Sequence, residues 1–197
     1  MLMDRIIGVL SFRQGVYADV EHDESFTNTA WLLVVVVAFL NQLGSVASLG
    51  SDNVGFITWI TGTLVGTVIA VIGFAVATWV IQAVGKAVFS AEVNFGELVR
   101  TLGLAYVWQA LGLIGIINFF FPAVLTCLLA PLNLVIAILG IVAWFMAARE
   151  ALDLDGIQTA VTIIIGWIVI FVFSVITGFI LTLMGLAAAG AAGLLGS

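Results

Sequence analysis

The sequence predicts an all-α fold, a polytopic membrane helix bundle of about five transmembrane helices with the N-terminus cytoplasmic and the C-terminus outside. Three observations predict it. The 197 residues are 63% hydrophobic and 8% charged, against roughly a quarter charged in an ordinary soluble domain, and the mean hydropathy is +1.32. The apolar residues also fall in runs that match the roughly 20 residues a helix needs to cross a hydrocarbon core about 30 Å thick. Finally, the five Lys and Arg residues all fall in alternate connections or at the span ends beside them, as the cations of cytoplasmic faces do.

The elements follow in order. Residues 1–29 form an N-terminal segment in which Ile6, Ile7 and Leu10 share a helical face beside Asp4 and Arg5, suiting a short helix in the headgroup plane. The only apolar stretch of that segment is too short and too interrupted for a signal-peptide core, so it is expected to be retained. The first span is expected at about 30–49, with Thr27, Asn28 or Thr29 offering a side-chain oxygen to its first N–H groups. Gly50 to Asn53 then make a turn. No charge occurs from Val54 to Gly85, more than one straight crossing requires, so a second span at about 57–84 is expected to tilt or to fray at its start.

Lys86 to Arg100 is polar. Within it, Asn94 and Glu97 stand at capping-box spacing and open a third span at about 98–119. Pro122 and Pro131 bracket an apolar connection, with Pro131 suited to a first helical turn, where its missing N–H costs nothing. A fourth span is expected at about 132–148. Arg149 to Gly156 is the next polar break, and a fifth span at about 159–183 precedes a tail of Gly and Ala. Residues 30–197 thus read as one transmembrane domain.

Counting five spans puts Arg5, Arg13, Lys86, Arg100 and Arg149 in one compartment, together with every acid except Asp52. The net charge of −6 excludes nucleic acid, whose phosphates need clustered Lys and Arg, and leaves no polybasic run for anionic lipids. Cys127 is the single cysteine, so no intramolecular disulfide exists, and its apolar neighbours suit a buried inert thiol. No HExxH, GxSxG or phosphate-binding glycine loop occurs, so hydrolytic and nucleotide chemistry lacks a handle. A non-enzymatic protein without cofactor or metal is the expectation.

No charge lies in mid-membrane, where ion-coupled transporters place one. Asn41, Gln42, Gln82, Gln109, Asn118 and Asn133 are the polar side chains near or within spans. They read first as interhelical hydrogen bonds and second as the lining of a permeation path. Gly62 and Gly66, with Thr58 and Ala70 on the same face, make a small-residue stripe for close helix approach, which Gly178 and Gly185 repeat in span five. His22 among Asp19, Glu21, Asp23 and Glu24 reads as a solvated acidic turn rather than a metal site, being the chain's one histidine. Asp153 and Asp155 before Gly156 read as a helix end rather than paired metal ligands. Glu97 and Arg100 are expected to face Arg149 and Glu150 as complementary pairs at one depth, with independent solvated ends as the alternative. The candidate cytoplasmic interaction face comprises Arg13, Tyr17, Asp23, Glu97, Arg100, Arg149, Glu150, Asp153 and Asp155.

Three stretches carry a resemblance that spans most of the chain: Phe12, Arg13, Gly15, Val16 and Tyr17 with Glu21 and Asp23; NFGELVRTLGLAY from Asn94 to Tyr106; and AREALDLDG from Ala148 to Gly156. Their order resembles the Yip (Ypt-interacting protein) domain family in its bacterial form. The resemblance implies five spans, a cytoplasmic N-terminus and a short outer tail. Eukaryotic relatives act in vesicle trafficking and bind Rab-type GTPases, but their long soluble N-terminal region has no counterpart here. The chain also departs from the family at Trp108, where a proline would kink the third span. What is expected is a scaffold or interaction partner for membrane lipids, other membrane protein subunits or its own copies. It would sit in the plasma or inner membrane, or in the Golgi or endoplasmic reticulum of a eukaryote. The alternative is a small transporter, channel or lipid-translocating protein.

Overall fold

The computed structural model describes residues 2–47, 56–117 and 125–195, with side chains for all of these except 125–128 and 186–195. Among them there is no strand. The expected turn Gly50 to Asn53 with Asp52, the end of span three with Asn118, and Pro122 lie outside the described residues, as does the side chain of Cys127.

Among the described residues five helical stretches are long and apolar enough to cross a membrane, so the chain is a multi-pass membrane protein. Two short helices precede them, α1 (Leu2–Leu10) and α2 (Val16–Glu21). The spans are α3 (Thr27–Ala47), α4 (Phe56–Phe89), α5 (Phe95–Ala105) with a 3₁₀ extension (Tyr106–Ile116), α6 (Leu125–Leu152) and α7 (Gly156–Leu195). They pack as a ring: α4 lies between α3 and α7, α3 runs along the 3₁₀ extension, and α6 closes the ring against α5 and α7. The apolar surfaces that face outward are large, Ile57, Phe171 and Phe179 among them, as expected where the solvent is lipid.

Several boundaries differ from the sequence reading for identifiable reasons. Helix α6 begins at Leu125, so Pro131 lies inside it rather than in its first turn. A proline there deletes one backbone hydrogen bond and bends the helix locally without ending it. Helix α4 continues to Phe89 and takes Lys86 into its last turn, where a cation complements the carbonyl end of the helix dipole. Helix α7 carries the Gly and Ala tail on to Leu195, Ala being the strongest helix former. The capping box is present at α5: the Asn94 side chain accepts from the Glu97 N–H at 3.0 Å, and the Asn94 N–H donates to the Glu97 carboxylate at 2.8 Å.

The third span changes winding part-way. From Tyr106 it becomes a 3₁₀ helix, which repeats every three residues. Tyr106, Gln109, Gly112 and Gly115 therefore stack on one face. Trp108 falls just inside this segment. The stacked face meets α3 at glycine: a Cβ on Gly44 would overlap the Gly112 carbonyl, and one on Gly115 would overlap Gly44. The backbones touch because no side chain stands between them.

Candidate functional site

Two places gather the polar side chains. The first is the face where α1 and α2 pack on the third span and on α6, at the end of the bundle where α3, α5 and α7 start and α4 and α6 finish. Alternating direction along five spans brings all five cations to this face. Arg100 organises it. Although 5% exposed, its guanidinium donates from Nε to the carbonyls of Val20 and Glu21, each at 3.0 Å, from Nη2 also to Glu21, and from Nη1 to the Thr27 hydroxyl at 3.2 Å. These carbonyls end α2, so the charge occupies the site that a helix C-terminus favours.

The expected pairing of Glu97 and Arg100 with Arg149 and Glu150 is therefore not what forms. Arg100 is taken by α2 and Thr27, and Glu97 by the Asn94 cap. Arg149 and Glu150 are exposed and make no ion pair among the described residues. Thr27 spends its hydroxyl on Arg100 instead of serving as the cap considered for span one. What approaches instead is like charge. The Glu21 carboxyl is held above its ordinary range, first by burial and then by Asp153, with Glu97 and Glu150 adding to it.

The N-terminal segment is tied down at its other end by ion pairs. Arg5 meets Asp23 at 2.7 Å and lies over the Phe26 ring at 4.8 Å. Arg13 meets both Asp4 oxygens at 3.1 and 3.2 Å. The Asp4 carboxyl is lowered by Arg13, and that of Asp23 by the Ser25 hydroxyl and then Arg5. Phe12, in left-handed backbone at φ 53°, turns the chain and stacks on Trp108 with ring centroids 5.5 Å apart. Burial raises the Tyr17 phenol.

Between this segment and the end of α6 lies a cleft of about 460 Å³. Its walls bring together Arg13, Tyr17, Arg149, Glu150 and Asp153 of the candidate face. Asp23 sits apart on Arg5. Asp155 caps α7 by accepting from the Gln158 N–H at 3.0 Å, and Asp153 ends α6 in left-handed backbone at φ 50°. His22 places Nδ1 3.1 Å from the Ala18 carbonyl.

The second place is inside the ring. A cavity of about 610 Å³ is lined from all five spans. Helix α3 contributes Asn41, Gln42 and Ser45, the 3₁₀ extension Trp108, Gln109 and Gly112, and α6 Asn133 and Trp144. Helices α4 and α7 complete it through Gly73, Phe173, Thr177 and Gly178. Asn41 Nδ2 donates to the Gln109 carbonyl at 2.9 Å, joining α3 to the 3₁₀ segment. Aromatic rings pack at its end nearer the N-terminal face, where Phe74 meets Tyr106 and Trp144 edge-on at centroid distances of 5.3 and 6.0 Å. Four of the six polar residues picked from the sequence thus converge here. Gln82 does not: it donates to the Val93 carbonyl at 3.2 Å and holds the connection between α4 and α5.

The candidate packing glycines divide. Gly62 lies against Leu181 and Val46, and Gly66 against the Gln42 side chain. A Cβ on Gly178 or Gly185 would meet nothing within 4 Å, so neither makes the close helix contact expected of it among the described residues; Gly178 faces the cavity. The tight seam is instead Gly44 with Gly112 and Gly115, which the sequence reading passed over. The three-residue spacing of Gly112 and Gly115 was the available signal.

No family model, curated protein or solved structure matches this chain.

Proposed function

We propose that the chain is a non-enzymatic, Yip-domain-type membrane protein that works by contact with other membrane proteins or lipids, its N-terminal face turned to the cytoplasm of the plasma or inner membrane. The observation that carries this reading is the ordered layer that Arg100 builds. It holds α2 against α5 and leaves Arg13, Arg149, Glu150 and Asp153 around an open cleft. A surface of charged side chains fixed on helix ends offers a partner both signs of charge at defined positions. The clustering of all five cations on one face supports the cytoplasmic assignment. In a eukaryotic cell the same reading places the protein in the Golgi or endoplasmic reticulum membrane.

The test is capture from mild detergent with identification of bound proteins and lipids. A stoichiometric partner is expected, and Arg149→Glu with Asp153→Lys should release it without changing solute leak. Pure, partner-free protein that gave robust flux, unaffected by those substitutions, would overturn the reading.

A second reading, a small transporter, channel or lipid-translocating protein, draws support from the polar side chains that meet in the cavity. Its test is flux through the purified protein in liposomes, with loss expected on Gln109→Leu.

A further inference from the structure

We infer that the cavity inside the ring binds an uncharged lipid of the diacylglycerol class, entering sideways through the wall at α6. The inference deepens the cavity of the second reading but requires no transport.

The lining decides the chemistry of the ligand. Among the described residues no Asp, Glu, Lys, Arg or His lines the cavity, so an ion or a charged headgroup would lose its hydration with no opposite charge from them in return. Donors are in surplus. The side-chain amides of Gln42, Gln109 and Asn133 line the cavity, each bringing two N–H donors to one acceptor oxygen. Trp108 and Trp144 also line it, but their indole N–H groups, without an acceptor among the described residues, are sealed within the packing rather than open to it. The hydroxyls of Ser174 and Thr177 already donate to carbonyls of their own helix, at 3.0 and 2.9 Å. A ligand that complements this wall offers acceptor oxygens and an apolar body. Ester carbonyls on a glycerol carrying acyl chains supply both.

The entry route follows from α6. From Leu129 to Leu139 no residue of this helix is buried, on any face, and burial resumes only at Gly140. Asn133 and Ala137 are thus exposed and also line the cavity. The wall there is open to hydrocarbon rather than to water, which suits a ligand that already resides in the bilayer. The volume, about 610 Å³, lies within the roughly 300–1,000 Å³ of small-molecule sites, enough for the glycerol esters with part of the acyl chains.

The experiment uses the full chain in lipid nanodiscs with a diazirine-tailed diacylglycerol and adduct mapping by mass spectrometry. Adducts are expected on the cavity-facing residues of α6 and α7. Gly178→Phe, whose side chain would enter open cavity, is expected to cut labelling about tenfold. Gly185→Phe, also in open space but away from the cavity, should leave labelling unchanged. Asn133→Leu, at an exposed and readily tolerated position, should lower it several-fold, which keeps the test decisive if Gly178→Phe does not fold. Labelling spread over outward-facing residues and insensitive to these substitutions would overturn the inference, as would equal cavity labelling by a phosphatidylcholine probe. Solute flux without cavity labelling would sink this inference and leave transport standing; labelling without flux would do the reverse.

Discussion

The Nε of Arg100 donates to the carbonyl oxygen of Val20 at 3.0 Å, across eighty residues of chain. That bond, with its companions at Glu21 and Thr27, joins the N-terminal segment to the third span. A buried guanidinium that loses such acceptors is costly, and a chain that loses the guanidinium leaves two carbonyls and a hydroxyl unmet.

Replacing Arg100 with Met should therefore cost about 2–5 kcal/mol and release α2. Amide hydrogen exchange checks this: residues 16–21 should exchange much faster in the variant while α4 and α7 keep their protection.

The Glu21 carboxyl gives a pH response of predictable sign. Its folded value is raised, first by burial and then by Asp153, so ionising it opposes docking. Stability from this group is greatest below the ordinary glutamate range and falls as pH rises through the raised value. Asp4 and Asp23 are lowered; their stabilisation is present above the ordinary aspartate range and is lost as pH falls through the lowered values. Mild acidification from neutrality should raise the melting temperature in detergent, and stronger acid should reverse the trend. Glu21→Gln should abolish the rise and leave the fall.

Glycine substitutions should separate the seam from the open positions. Gly44→Ala forces a methyl into the Gly112 carbonyl and should cost about 1–3 kcal/mol. Gly178→Ala meets nothing and should be neutral or stabilising by up to about 1 kcal/mol, since Ala replaces Gly within a helix. Thermal unfolding of the two variants side by side reads the difference.

Asn94→Ala removes the cap of α5 and should cost about 0.5–2 kcal/mol. Asp155→Ala removes the side-chain acceptor at the start of α7 and should cost a similar amount. Neither residue lines the cleft, so neither substitution is expected to alter capture of a partner, which the pull-down can score on the same samples.

The spans and the Asn94 cap were legible because their signals are local: apolar runs of membrane length, and two residues three apart. The role of Arg100 was not, since its acceptors are backbone carbonyls far back in the chain, which carry no residue code. Charge alone pointed it toward Glu150, and geometry gave it to α2. The cavity was half legible. Asn41, Gln42, Gln109 and Asn133 were visible as polar residues in apolar runs, but their convergence depends on the order in which the helices close the ring. The glycine seam is hidden in the sequence because an α-helix aligns small residues four or seven apart, whereas Gly112 and Gly115 align when the winding is three residues per turn.

That winding also sets a length. Eleven residues in 3₁₀ form rise about 22 Å, where an α-helix would give about 16 Å. The 22 residues from Phe95 to Ile116 consequently reach about 38 Å, as far as some 25 residues of α-helix. The third span's described residues thus cover more of the bilayer's depth than the same number in α-helical form. Rewinding it would draw its far end inward by about 5 Å, carrying Gln109 and Gly112 past Asn41 and reshaping the chamber they border.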